Sequence, residues 1–257
     1  GQIATDDLVL SNANYVYKGS AYDDIEFTVS RTICGKVFTY GDAYTVSYAN
    51  NINAGQATIS LTNNNDAENV VSSQFTINPV EDEVVVTVTL ADKSVAFSGA
   101  AQTYNSEDAL TIEADNALYN ISWVSASGNA ASVSGTNAAE YAFGWNAEMF
   151  SNTSTNFTNV RFDVTDGKLI ITPNTGVVVT VTENSSTLTY NGEEHSVSGY
   201  SVAISDATGV YTEDDFAFSG TATASGINAG VYPMQLSADD FSNTNENFAE
   251  VTFNIVD

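Results

Sequence analysis

The chain has 257 residues and a formal net charge of −26, from 32 acidic and only 6 basic side chains. Such a balance repels nucleic acid and anionic membrane surfaces over the whole approach and argues against both as partners. Charged residues make up just 15% of the sequence while apolar residues reach 43%, so the acidity comes from missing Lys and Arg in a chain that folds, not from a disordered acidic tail. One Cys and one His leave no internal disulfide and no zinc site of the Cys/His kind. No apolar run reaches the length of a membrane span, so no direct membrane insertion is expected. The sequence opens on Gly1 and the polar stretch Gln2 to Asp7, which reads as the start of a mature segment whose signal peptide is gone.

In chain order, the first stretch carries Tyr17-Lys-Gly19, Ile52-Asn-Ala-Gly55 and Phe75-Thr-Ile77, and closes on Pro79. Val84-Val-Val-Thr-Val-Thr then opens a second stretch, and the same six letters recur from Val177, an offset of 93. Within the second stretch, residues 135–164 align with 226–255 with 13 identities in 30 positions and no gap. Tyr17-Lys-Gly19 matches Tyr190-Asn-Gly192, with Phe97-Ser-Gly99 between them, and Ile52-Asn-Ala-Gly55 matches Ile227-Asn-Ala-Gly230. Phe75-Thr-Ile77 is read over Phe253-Asn-Ile255. The chain is therefore three copies of one unit: a divergent first repeat over 1–80, a second over 81–175 and a third over 176–257. Pro79 and Pro173 stop strands at the two junctions.

Val84 to Leu90, Leu169 to Thr172, Val177 to Val181 and Val251 to Val256 are short and rich in Val, Ile, Thr and Phe, as strands are. Gly, Asn, Asp and Ser clusters separate such segments, and the stretch from Ala238 to Phe248 allows at most one helical turn. The expected class is all-β: three tandem small antiparallel β-sandwich modules of the Ig-like sort, with a β-grasp-like module as the alternative. After Asn-Ala-Gly, alternate positions are apolar in every copy: Ala57, Tyr141 and Tyr232; Ile59, Phe143 and Met234; Leu61, Trp145 and Leu236. Period two puts these side chains on one face, which is predicted as core, and it turns Pro233 outward at an edge or bulge. Gly55 and Gly230 are expected to supply a positive φ that Ala139 resists.

Tyr-x-Gly near the start of the unit and Asn-Ala-Gly-x-Tyr, as in Asn228-Ala-Gly-Val-Tyr232, resemble the MBG-type repeats, bacterial Ig-like tandem repeats of extracellular, adhesin-like surface proteins. Phe97, Ala139 and Ala57 depart from that pattern. The resemblance implies an extracellular place, secreted or cell-surface anchored, and a role in stalks or cell adhesion; it carries no catalytic residues to transfer. The expected function is a non-catalytic stalk or adhesive repeat region, an extended spacer and monomeric rod that meets a host or cell-surface glycan or protein. The alternative is a carbohydrate-binding accessory region of an extracellular enzyme.

Individual side chains weigh on that choice as follows. Trp123 aligns with Asp215, off the face shared by Val124 and Phe216, where a ring stacks on sugar or anchors a protein. Trp145 takes the place of Leu61 and Leu236 and reads as core. Glu81, Asp82 and Glu83, at the first junction, are the candidate calcium ligands; Asn63-Asn-Asn-Asp66 and Glu213-Asp-Asp215 are further oxygen-rich loops, and no other cofactor is implied. His195 is placed on an exposed hairpin rim, and Cys34 reads as a buried inert thiol. The third repeat has no Lys, which excludes an isopeptide staple there.

Overall fold

The computed structural model describes residues 1–41, 43–128 and 130–257. It is all-β, and the helical elements among the described residues are single 3₁₀ turns of three residues each. One of them, Ala238–Asp240, is the turn expected in that Asn- and Ser-rich stretch.

The first repeat forms a four-stranded sheet in the order Asn14–Val16, Asp66–Asn78, Gly55–Asn63, Tyr44–Ala49. A smaller antiparallel sheet holds Leu8–Leu10, Phe27–Ile33 and Lys36–Thr39. In the second repeat, Val84–Leu90 lies between Leu110–Ala114 and Val160–Thr165, and a second sheet orders Ala139–Ala142, Lys168–Thr172, Lys93–Ala96. Two ribbons complete it: Gln102–Asn105 with Ser132–Gly135, and Val124–Ala126 with Phe150–Asn152. In the third repeat Val178–Glu183 lies between Tyr200–Ser205 and Thr252–Val256, beside the ribbons His195–Ser198 with Thr223–Gly226 and Phe216–Phe218 with Phe241–Asn243.

Four of the sheets contain a parallel pair and are not purely antiparallel. Asn14–Val16 runs parallel to Asp66–Asn78, Val84–Leu90 to Val160–Thr165, Lys93–Ala96 to Lys168–Thr172 and Val178–Glu183 to Thr252–Val256. An opening strand beside a closing strand has the whole repeat between them as its crossover, which is the length a parallel pair requires.

The residues fall into two compact units that do not follow the repeat boundaries. One contains residues 1–89, 111–128 and 146–165; the other contains 90–110, 129–145 and 166–257. The core of the first is built on Ala57, Ile59, Leu61, Phe75 and Ile77 with Val84, Val86 and Val88, all essentially without solvent contact. Leu90, Leu169, Ile171, Val177, Val179 and Val181 do the same in the second. These are alternate positions along strands, so each strand gives one face to the interior, at about 1.5–3 kcal/mol of transfer free energy per large aliphatic side chain.

The alternation predicted after Asn-Ala-Gly holds for Ala57, Ile59, Leu61, Phe143, Trp145, Met234 and Leu236, all buried, while Tyr141 is half-buried and Tyr232 exposed. The backbone carrying it differs between copies. It is a nine-residue strand in the first repeat, four residues in the second, and has no strand structure in the third. Chain direction changes at Gly144, with φ +77°, and at the equivalent Gln235, with φ +64°. Pro233 thus lies in an irregular segment and not in an edge strand. The Asn-Ala-Gly glycines do not share a conformation either: Gly55 has φ +141°, Gly230 is not at positive φ, and Ala139 therefore fits without strain. Pairing also corrects the repeat alignment. Phe75 and Ile77 face Ala57 and Gly55 as Leu169 and Ile171 face Tyr141 and Ala139, so Phe75-Thr-Ile77 corresponds to Leu169–Ile171 and not to Phe253-Asn-Ile255.

Candidate functional site

Each unit contains a polar and aromatic cluster that joins segments from two successive copies of the sequence repeat. It begins with the loop after Phe150–Asn152. There the Asn152 amide donates to the carbonyls of Ser154 (2.9 Å) and Phe157 (3.1 Å), and its Oδ1 accepts from Ser154 N–H and the Tyr119 hydroxyl, both at 3.0 Å. Asn243 does the same in the third repeat, donating to Asn245 and Phe248 and accepting from Asn245 N–H and the Tyr211 hydroxyl. One side chain closes the loop in each copy, which leaves the tip free to reach outward.

At the tip, Asn156 Oδ1 accepts from the N–H of Ala54 at 2.7 Å and its amide donates to Asn53 Oδ1 at 3.1 Å. Asn247 repeats this on Ala138 N–H (2.7 Å) and Asn137 (3.4 Å). Backbone bonds flank both: Val80 N–H to Asn156 carbonyl and Thr158 N–H to Val80 carbonyl in one, Asn174 N–H to Asn247 carbonyl and Ala249 N–H to Asn174 carbonyl in the other. Beside the tip, Phe157 is buried edge-on against Tyr17 and Tyr119, with centroids 5.7 and 5.3 Å away. Phe248 is buried against Phe97 and Tyr211 at 5.3 and 5.0 Å. Burial pushes the Tyr211 phenol up to about 12 and raises that of Tyr119.

Both sequence motifs therefore act on the following repeat. Asn-Ala receives the asparagine, Tyr-x-Gly supplies the ring, and its glycine turns the chain at positive φ where a Cβ would meet Leu118 at 3.0 Å from Gly19, or Val210 at 2.4 Å from Gly99. The loop residues Asn152, Asn156, Phe157, Asn243, Asn247 and Phe248 were given no role from sequence. Their signal was the identical block Phe150-Ser-Asn-Thr and Asn156-Phe157 against Phe241-Ser-Asn-Thr and Asn247-Phe248.

Trp123 joins the first of these clusters. It is half-buried, edge-on to Tyr119 at 5.5 Å and tilted on Phe157 at 6.0 Å. The Trp123 carbonyl accepts from Thr153 N–H as that of Asp215 accepts from Thr244 N–H, so the alignment of Trp123 with Asp215 stands. Its ring borders an open concavity of about 470 Å³ that Tyr17, Leu118 and Tyr119 also line. Trp145 is core, donating its indole N–H to the Ala130 carbonyl.

The acids are used locally. Asp7, Asp215 and Asp240 each accept the N–H that opens a 3₁₀ turn, from Ala4, Thr212 and Ser237. Asp7 also binds Arg31 in two places, at 2.9 and 2.6 Å, and the Tyr40 hydroxyl; the guanidinium holds its carboxyl at about 2 against the opposing effect of burial. Asp206 reaches about 2 as well: burial opposes ionisation, but the Thr208 hydroxyl and the N–H groups of Tyr211, Thr208 and Val210 outweigh it. Glu81, Asp82 and Glu83 are exposed, and Glu83 accepts from Arg161 Nε at 3.4 Å. No group of three or more His, Cys, Asp or Glu side chains is placed to hold a metal ion among the described residues.

His195 and Cys34 differ from expectation. His195 is half-buried within a strand, paired with Gly226, and its Nε2 is buried without a hydrogen-bond partner. Cys34 is exposed at φ +50°, and with Gly35 at +76° it makes the two-residue turn between Phe27–Ile33 and Lys36–Thr39. Two successive positive φ values match the twist of such a hairpin and lift the thiol out of the apolar run that precedes it. No family model matches this chain, and neither a curated protein nor a solved structure does.

Proposed function

We propose that the chain is a non-catalytic stalk or adhesive repeat region of a secreted or surface-anchored bacterial protein, made of three tandem Ig-like modules. The observation that carries this reading is the joint used twice: Asn156 with Phe157, and Asn247 with Phe248, each lock one repeat onto the Asn-Ala and Tyr-x-Gly positions of the repeat before it. A load applied along the chain then passes through packed rings and part-buried hydrogen bonds instead of a free linker. Parallel pairing of an opening with a closing strand in the second and third repeats supports the modular reading. The resemblance to MBG-type repeats supports the extracellular place. Pulling single molecules from the two ends tests the proposal: Asn156→Ala with Asn247→Ala should lower the unfolding force, and equal forces in wild type and variant would remove it.

A second reading, a carbohydrate-binding accessory region, is favoured by the concavity beside Trp123, where an aromatic wall is open on one side. A glycan array decides: binding that vanishes in Trp123→Ala supports this reading, and silence leaves the first.

A further inference from the structure

The hairpin that carries Cys34 ends in an uncovered edge. Lys36–Thr39 pairs with Phe27–Ile33 on one side, with Phe38 opposite Arg31 and Lys36 opposite Ile33, and no strand lies on its other side among the described residues. All four of its residues are exposed, and the apolar side chains of the hairpin are open to solvent: Val37 at 67%, Phe38 at 52% and Ile33 at 51%. The charge here is unlike that of the rest of the chain. Residues 27–41 contain no Asp or Glu, although they hold Arg31 and Lys36, two of the six basic residues. Asp7 neutralises Arg31, which leaves Lys36 as the one uncompensated charge of this stretch.

One bond fixes the direction of the free backbone groups. The Tyr40 N–H donates to the Val29 carbonyl at 3.2 Å. Antiparallel backbone alternates, so Phe38 and Lys36 also bond inward, while Val37 and Thr39 turn their N–H and C=O groups outward, where no strand receives them. Two copies related by a two-fold axis at Phe38 satisfy all of these groups at once. Val37 of each then bonds Thr39 of the other, Phe38 meets its own counterpart in the close non-hydrogen-bonded pair, and Lys36 lies opposite Tyr40. The edge is complementary to itself: ring meets ring, and no like charges are opposed. On a chain of net charge −26, a surface stretch without acid is also where a second copy meets the least repulsion.

We infer that Lys36–Thr39 is a self-association edge, on which a second copy of this chain adds antiparallel about Phe38. The two three-stranded sheets become one continuous sheet, and both exposed edges are covered. Four residues a side bury far less than the roughly 1,200 Å² of a stable complex, so the pair is weak and responds to the repulsion between two acidic bodies. The chain is then not the strict monomer that its charge leads one to expect.

Cys34, the single cysteine and exposed at the turn, supplies the probe. A nitroxide attached there should give no intermolecular distance at micromolar chain and, near millimolar, one distance of about 25 Å, the span of eight strand positions. Sedimentation equilibrium over the same range should show monomer passing to dimer. Val37→Pro removes an outward donor and spares the bonds to Phe27–Ile33, and Phe38→Glu sets two carboxylates face to face; each should weaken the dimer at least tenfold. Thermal midpoints of the dilute chain check that both variants fold. A rise from ~20 to ~500 mM salt should tighten the dimer several-fold by screening the net charges. A chain that stays monomeric at millimolar concentration, a dimer indifferent to both variants or weakened by salt, or a Cys34 separation far from about 25 Å would overturn the proposal.

Discussion

The joint that holds Asn156 and the joint that holds Asn247 share the contacts of their two loop asparagines and differ in their filling. Around Phe157 stand Tyr17, Tyr119 and Trp123; around Phe248 stand Phe97 and Tyr211, with Asp215 at the position of Trp123. What is constant between them is the hydrogen-bonded loop, and what varies is the apolar contact beside it. The loop is therefore the part common to both joints, and the rings are the part that varies.

The largest effect should come from those rings. Phe248→Ala and Phe157→Ala should each cost about 3–5 kcal/mol, with Phe157→Ala at the lower end because Trp123 can settle into the vacated space. Denaturant midpoints in the reverse order would break the comparison. Asn156→Ala and Asn247→Ala should each cost about 1–3 kcal/mol, the buried Asn156 more than the half-buried Asn247, whose bond to Asn137 is exposed and 3.4 Å long; the reverse order would show that the polar contact is not the constant part. The glycines grade the contact more finely. All three of Gly19, Gly99 and Gly192 sit at positive φ, so alanine costs each about 1–2 kcal/mol. Gly99→Ala adds a 2.4 Å clash with Val210, Gly19→Ala a 3.0 Å approach to Leu118, and Gly192→Ala meets nothing closer than the Tyr190 hydroxyl at 4.0 Å. Melting temperatures should fall in that order.

Acid should act on both units, by different means. Asp7 and Asp206 are both held down to about 2 in the folded chain, below the ordinary carboxylate value of 3.8. Their contribution is complete above the unfolded value and is lost as pH falls through about 2. Asp7 is held by a guanidinium and Asp206 by neutral donors. Added salt should weaken the first contribution and leave the second, which amide exchange followed separately in each unit between pH 4 and pH 2 would resolve.

The core was legible because period two is a local signal: Ala57, Ile59 and Leu61, and with them Trp145 and Leu236, are buried where alternation puts them. Two strand ends were legible from Pro79 and Pro173, which follow Asp66–Asn78 and Lys168–Thr172 directly. The joint was not, although its letters were aligned, because spacing within a repeat says nothing about which repeat a side chain meets. Phe75 was matched to Phe253 for a similar reason. Two short apolar strands look alike until their partners are known, and Ala57 opposite Phe75 identifies the one that counts. Cys34 shows a further limit: its neighbours are apolar, yet a turn at positive φ decides its exposure.

Because the two compact units each take part of the second repeat, the segment that is duplicated in the sequence is out of phase with the segment that packs as a body. Both joints nevertheless use one set of contacts. Recombination that removed residues 81–173 would bring the loop of Asn247 and Phe248 to Asn53, Ala54 and Tyr17, groups of the same kind as those it meets now. Such a chain would need no new kind of boundary, because the grip of one asparagine recurs in both places.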